Sequence, residues 1–394
     1  MKTKLSQLEK SKKTYIYGIG TAGKWLAVNI NSKIAGFIDS DCKKANEKFD
    51  GIPVYSPKDA QGVLDSNSYV IVTVLDIQDV IEDVEALPTD DWVALGCHLN
   101  DTKVTFNPLK EKSSYVEYAL KAVEECHKAY FSKDKLFLKA IDVVITERCS
   151  LKCKDCSNLM QYYSSPVNIS FNEITKDFDQ LLSSVDHIYE LRLIGGEPFM
   201  NKDIYEIVRQ LCKEDKINKI VIYTNATIPL KNDQLDVLKH PKVVFSVTDY
   251  GNLSRNTSKV IGTLTENKIP YRHYPPQNWT DSGVIHDYKR SIEEMEELFD
   301  QCCGKNLLTA TDGLLFRCPF AANAHRLKAI PLDKENSVPL GSPKSDISHY
   351  TSKITHLPAC NYCKGRSYDA PEIEPAIQTK KPLKYKIYNL VDVS

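Results

Sequence analysis

The sequence predicts an α/β protein in three parts: a small doubly wound domain, a partial parallel barrel of (β/α)6 type, and a small cysteine-rich α+β domain. Three observations predict it. A strand runs into a glycine-rich turn and a helix near the start of the chain, at Tyr15 to Ile30. Strand-like and helix-like stretches then alternate from Leu138 to Asp287, with polar residues gathered just after the strands. Five of the twelve cysteines fall in the last hundred residues, in a region poor in periodic segments.

In the first part, residues 1–100, Tyr15-Ile-Tyr17 is a strand, Lys24 to Ile30 a helix and Ile34 to Ile38 a second strand ending in Asp39. Tyr69 to Val74 is apolar throughout, as a strand buried on both faces of a parallel sheet should be. Residues 101–137 read as a helical linker, with Tyr115, Tyr118, Ala119, Ala122 and Val123 at helical spacing. In residues 138–287 the expected strands are Ile141–Thr146, Leu191–Ile194, Ile220–Tyr223, Val243–Val247 and Pro270–Tyr274. Helices fit between them at Phe171–Val185, Asp203–Glu214, Asn232–Leu238 and Ser258–Asn267. Chemistry in such folds sits on the loops that follow the strands. Residues 288–394 open with an acidic helix, Ser291 to Asp300, and hold the second cysteine group.

Composition narrows the function. The hydrophobic fraction is 42% and the charged fraction 26%, as in a folded globular chain. A formal net charge of -1 gives no basic field for nucleic acid. No apolar run is long enough to span a bilayer, and the polar start lacks a signal-peptide core, so the expected compartment is the cytoplasm, with no membrane partner. Disulfide scaffolds belong to short secreted chains, so the grouped cysteines point to metal sites instead. Cys42, Cys97, Cys126 and Cys212 stand alone and read as small apolar residues.

Cys149, Cys153 and Cys156 follow the first barrel strand as Cys-x3-Cys-x2-Cys with no histidine nearby. A structural zinc site wants four ligands, whereas three thiolates on a cubane 4Fe–4S cluster leave one iron open. This motif and Gly195-Gly196-Glu197-Pro198 resemble the radical S-adenosylmethionine (SAM) superfamily. The resemblance implies that the cluster binds S-adenosylmethionine and cleaves it to a 5′-deoxyadenosyl radical, with electrons from a flavodoxin- or ferredoxin-type donor. It also implies that Gly195, Gly196, Glu197 and Pro198 meet the methionine amino group. Asn225, Ser246 and Asp249 stand where the family contacts ribose or the methionyl carboxylate. One departure is Asp155, where the family usually carries an aromatic residue against adenine.

The second group is Cys302, Cys303, Cys318, Cys360 and Cys363, with Gly313 and the Cys318-Pro319 step. It resembles the twitch domain, the shorter relative of the SPASM domain, which carries one auxiliary 4Fe–4S cluster on four cysteines. Either Cys302 or Cys303 could be the first ligand, leaving the other as a free thiol able to donate hydrogen in catalysis. The same spacing suits a structural zinc ion.

Gly18-x-Gly20-x-x-Gly23 between strand and helix, followed by Asp39, is a Rossmann-like dinucleotide fingerprint. Gly36 to Pro57 resembles the N-terminal domains of nucleotide-sugar acyltransferases, a small domain that also precedes several sugar-modifying enzymes. The domain is thus a nucleotide handle, a docking module or, least in keeping with radical chemistry, an NAD site. For the whole chain the expected substrate is a sugar- or cyclitol-type small molecule, free or nucleotide-linked, oxidised, epimerised or eliminated at a carbinol carbon. A peptide maturase of the SPASM/twitch class and a metal-stapled scaffold without catalysis are the alternatives.

Overall fold

The computed structural model describes residues 12–30, 32–41, 44–45, 47–99, 113–132, 134–367 and 370–388. Cys42, Asn100 and the side chain of Tyr115 lie outside the described residues. The chain divides into two compact units, Met1–Phe137 and Leu138–Ser394. Among the described residues, no helix is long and apolar enough to cross a membrane.

The first unit is built from β1 (Lys13–Tyr17), α1 (Thr21–Asn29), β2 (Ile34–Ile38), β3 (Lys48–Phe49), β4 (Ile52–Tyr55), α2 (Pro57–Val63), β5 (Ser68–Val72), α3 (Ile81–Glu85), β6 (Trp92–Ala94) and α4 (Ser113–Tyr130). Its sheet has the order β3-β4-β2-β1-β5-β6. Every pairing is parallel except the β3–β4 hairpin. Successive side chains on a strand point to opposite faces, and the central strands here feed two cores. Ile16 and Ile71 pack with Trp25 and Leu26 of α1 and with Val116 and Val123 of α4. Tyr15, Tyr17, Val70 and Val72 pack on the other face with Ala60 of α2 and Val84 of α3. Helices on both faces make this the expected doubly wound layer.

Helix α4 belongs to that core and is no free-standing linker. Gly96 lies against it so closely that a Cβ there would fall 2.3 Å from the Val123 carbonyl oxygen. His127, fully buried, accepts from the Gly96 N–H at Nδ1 (3.0 Å) and donates from Nε2 to the Val74 carbonyl (2.7 Å). The amphipathic stripe showed that the helix had an apolar face, not which core it would join.

The second unit is a partial βα barrel. Its strands are β7 (Phe137–Thr146), β8 (His187–Gly195), β9 (Ile217–Thr224), β10 (Val243–Thr248) and β11 (Tyr271–Tyr274). Between them lie α5 (Phe171–Ser184), α6 (Ile204–Leu211), α7 (Leu235–Leu238) and α8 (Thr257–Glu266). Strands β8 to β11 pair in parallel. The next strand in the chain, β12 (Trp279–Thr280), pairs with β16 (Glu372–Ile373) and not with β11.

The cysteine-rich region shares this unit. Its elements are α9 (Ile292–Asp300), β13 (Thr309–Thr311), β14 (Leu314–Phe316), α10 (Pro319–Arg326), β15 (Ser337–Pro339) and α11 (Lys344–Ser352). Strand β13 pairs parallel to β7, and β14 and β15 continue the sheet as antiparallel strands. Glu147, just past β7, accepts from Arg326 Nη2 of α10 at 2.6 Å, both side chains being buried. The expected break near residue 287 is therefore not a break in packing: Leu159 and Tyr162 share one core with Phe299, Phe316 and Phe320.

Candidate active site

The strand ends position the site. A cavity of about 370 Å³ opens there, lined by Cys149, Cys153 and Cys156 from the loop after β7, Gly195 and Gly196 from the end of β8, and Asn225 after β9. The loop reaches its place because the end of β8 carries no side chains. A Cβ on Gly195, whose φ is +145°, would fall 2.1 Å from the Thr146 carbonyl oxygen, and one on Gly196 would fall 2.2 Å from that of Arg148. The glycines thus make room for the chain's own cysteine loop. Two backbone bonds lock the contact, Gly196 N to Thr146 O (3.1 Å) and Glu197 N to Arg148 O (2.8 Å).

Burial pushes all three thiols upward. Cys149 is raised well above the ordinary range by burial, opposed by the Leu151 N–H and reinforced by the like charges of Cys156, Glu197 and Cys153. Cys153 is pushed up to about 11 by burial and then by Cys156. Cys156 is raised by burial as well. Cys153 is buried and Cys149 and Cys156 are half-buried, so as neighbouring thiolates they would repel one another with little hydration and call for a cationic partner. N–H groups already point at two of the sulfurs. Leu151 N lies 3.4 Å and Asn225 Nδ2 3.6 Å from Cys149 Sγ, and Gln378 Nε2 lies 3.3 Å from Cys153 Sγ. Donor type, repulsion and N–H···S bonds together fit an iron–sulfur cluster.

Glu197 differs from its expected place. It is fully buried, and its own chain satisfies its carboxylate. Oε1 accepts from Phe199 N (3.2 Å) and Thr224 Oγ1 (2.9 Å), and Oε2 accepts from Asn225 N (2.8 Å) and again from the threonine hydroxyl (3.1 Å). Burial raises its pKa to about 7, against the lowering effect of these donors. The carboxylate fastens the end of β8 to the end of β9 behind the cavity wall. Pro198, the next residue, does line the cavity.

The other expected contacts divide. Asn225 lines the cavity with its amide held by Ser150 and Thr227. Ser246 is 2% exposed and its hydroxyl has no hydrogen-bond partner among the described residues. Asp249 is engaged elsewhere, accepting from Gly251 N (2.8 Å) and facing His273 Nε2 (3.3 Å). Thr248 lines the cavity in that region, as do Asp155, Tyr250, Trp279 and Arg366. Tyr250 and Trp279 meet edge to face at 5.6 Å between centroids. Reading motifs did not reveal these aromatics or Arg366; only the position of Tyr250 just past β10 could have suggested it.

The inner faces of the strands are polar. Ile194 lines the cavity, so Arg192 and Glu190 on the same face of β8 point inward too. Arg192 donates to Glu190 at 2.8 and 3.0 Å and faces Asp142 of β7 at 3.8 Å. Arg272 of β11 approaches Glu190 at 3.7 Å. Register places Tyr223, Ser246 and Arg272 side by side on β9, β10 and β11.

In the second cysteine group, the charges of Cys302 and Cys360 bear on both Cys318 and Cys363. Burial raises Cys318 far above its ordinary value, and Cys360, Cys363 and Cys302 add to it. Cys363 is pushed to about 12 by burial, with Cys302 and Cys360 contributing, and Cys360 to about 11. Cys303 stands apart: burial raises its thiol, Arg366 lowers it, and Cys302 is the single cysteine acting on it. Backbone N–H groups of Gly304, Ala321 and Gly365 point at the sulfurs of Cys302, Cys318 and Cys363, at 3.3 to 3.4 Å. Of the isolated cysteines, Cys126 is buried while Cys97 and Cys212 are half-buried.

In the first unit Asp39 and two of the three expected glycines are engaged by neighbouring parts of the chain. Asp39 accepts from Ile19 N (2.9 Å) and Asp41 N (3.0 Å) and pairs with Lys44 (3.3 Å). Gly18 takes a φ of +102°, and a Cβ on Gly23 would fall 1.9 Å from the Gly18 carbonyl oxygen. Above Gly20 there is open space.

Residues 143–257 match the family model of the radical SAM superfamily, and this part of the second unit is a radical SAM domain. Among curated proteins the chain is similar to GTP 3',8-cyclase of Lactiplantibacillus plantarum, 28% identical over 156 residues, covering 37% of this chain and 46% of that protein. The chain thus spans less than half the length of that relative. Among solved structures it is similar to BtrN in complex with AdoMet and 2-DOIA, with TM-score 0.40 and 16% identity over 58% of this chain and 93% of that one. SuiB of Streptococcus suis bound to its precursor peptide SuiA gives TM-score 0.29 and 16% identity over 50% and 45%.

Proposed function

We propose that the chain is a radical SAM enzyme that removes hydrogen from a sugar- or cyclitol-type substrate, free or nucleotide-linked, so as to oxidise, epimerise or eliminate at a carbinol carbon. The observation that carries the reading is the convergence of Cys149, Cys153, Cys156, Gly196 and Asn225 on one cavity at the strand ends. When bound, a 4Fe–4S cluster and S-adenosylmethionine together supply the 5′-deoxyadenosyl radical. Cys149, Cys153 and Cys156 would hold the cluster. Gly195, Gly196, Pro198 and Asn225 would contact the cofactor, while Glu197 keeps β8 and β9 in place behind them.

The polar inner faces support a hydroxyl-rich substrate. Asn225, Thr248 and Tyr250 line the cavity with polar atoms, and the buried hydroxyl of Ser246 lacks a partner among the described residues. Arg366 adds a cation to the cavity wall, and its buried Nε has no hydrogen-bond partner among the described residues, which suits a phosphate or carboxylate on the substrate. GTP 3',8-cyclase is named for a nucleotide substrate, so nucleotides belong in the test panel beside sugars. The first unit, with open space at the start of α1, would hold a nucleotide moiety. Cys302, Cys318, Cys360 and Cys363 would hold an auxiliary cluster, leaving Cys303 as a free thiol beside Arg366.

Anaerobic reconstitution tests the assignment. The parent should bind about eight irons, two cubes of four. Replacing Cys149, Cys153 and Cys156 together should leave about four and end 5′-deoxyadenosine formation. Cys302→Ala should lose the auxiliary iron and Cys303→Ala should keep it. A triple variant that still cleaves S-adenosylmethionine refutes the reading. Deuterium transfer into 5′-deoxyadenosine from labelled nucleotide sugars, cyclitols or peptides identifies the substrate class.

A further inference from the structure

The loop that carries Cys149, Cys153 and Cys156 has an outer cover, and it comes from far along the chain. Ile373 of β16 pairs with Trp279 at the cavity wall. The chain then turns through Ala376, a non-glycine residue at φ 56°, buried against Leu151 and Cys153. From there it runs antiparallel to the cysteine loop, bridging Gln378 to Cys153. Three bonds of 2.7 Å fix the register: Lys154 N to Ile377 O, Thr379 N to Lys152 O, and Lys152 N to Gln378 Oε1. Further on, Leu383 N bonds Gln161 O, and Tyr385 packs on Tyr162.

Gln378 uses both ends of its amide. Its oxygen accepts from Lys152 N, which orients the group. Its nitrogen donates to Ala376 O at 2.7 Å and to Cys153 Sγ at 3.3 Å. Cys153 is left 7% exposed. Hydrogen bonds to ligating sulfurs and exclusion of water are among the features that set an iron–sulfur potential.

We infer that Gln378 tunes the cluster held by Cys149, Cys153 and Cys156, raising its reduction potential through the Nε2–H···Sγ bond to Cys153. The inference rests on the cluster reading above. Reduction adds one electron from an external donor, with no proton taken up and no bond made or broken. The added negative charge spreads onto the thiolates, so an N–H dipole aimed at one of them favours the reduced state.

The test is a dithionite potentiometric titration of the full-length reconstituted protein, followed by electron paramagnetic resonance. S-adenosylmethionine is added at the end to mark the cluster that has an open iron. Gln378→Glu keeps the oxygen that orients the strap but loses the donor. Its potential should drop by about 60 mV or more, a tenfold fall in the reduction equilibrium for one electron. Gln378→Leu should shift the same way by less, since it adds no charge. Full iron with unchanged potentials in both variants overturns the inference. Loss of the marked cluster from both would make Gln378 a strut for the loop and overturn it too. A parent protein without a cluster that responds to S-adenosylmethionine would instead fell the cluster reading, and this inference with it.

Discussion

Replacing Glu197 by alanine separates two roles that the Gly-Gly-Glu-Pro run allows. In the structure the carboxylate satisfies three buried donors: the N–H groups of Phe199 and Asn225 and the hydroxyl of Thr224. Each orphaned buried donor costs about 1–3 kcal/mol. Part of that is offset, because burying the carboxylate is itself unfavourable, as its raised pKa of about 7 reflects. A net loss of about 3 kcal/mol follows, roughly 6–12 °C in melting temperature for a unit of this size. Glu197→Gln keeps one oxygen but sets its amide nitrogen against a donor, and should lose only about 1–2 kcal/mol. Anaerobic thermal melts followed by circular dichroism read the stability, and equilibrium binding reads S-adenosylmethionine affinity. The glutamine variant should hold the cofactor within about threefold, a difference under 1 kcal/mol. An alanine variant that melts within 2 °C of the parent (about 1 kcal/mol or less) yet loses tenfold in affinity would refute the bracing role and return the carboxylate to the methionyl ammonium.

Two further predictions concern the first unit. His127 is held neutral, its pKa lowered to about 4 chiefly by burial. The unfolded imidazole takes up its proton near pH 6.5, so stability is full above that value and falls as pH drops toward 4. By pH 5 the loss should be about 2 kcal/mol, read as increased hydrogen exchange in α4 that His127→Gln abolishes. Gly23→Ala forces a Cβ to 1.9 Å from the Gly18 carbonyl oxygen, whereas Gly20→Ala meets nothing within 4 Å. The first should lower the melting point of this unit, and the second should leave it unchanged.

The strands and the cysteine loop were legible because periodicity and spacing are local. Apolar, β-branched runs marked β5, β10 and the second half of β7 to within a few residues, since such residues crowd into buried strands. Cys302 and Cys303 are equivalent candidates in the sequence, because adjacent residues differ only in which way the backbone turns them. The role of Glu197 was hidden for a related reason: an acid behind a pair of glycines reads as a ligand, and only the positions of Thr224 and Asn225 show its partners are internal. Arg366 and Gln378 belong to no periodic segment or motif. They reach the cavity and the cysteine loop through folding over long sequence distances.

That distance has a consequence for how the protein is made. Gln378 and Cys153 are 225 residues apart. A ribosome adding about 5–20 residues per second takes roughly 10–45 s to make that stretch. During that time the cysteine loop lacks the cover that residues 376–385 later give it. Once the last strap residues emerge, the loop gains its cover. Translation thereby sets an interval in which the loop around Cys153 is without its outer strand.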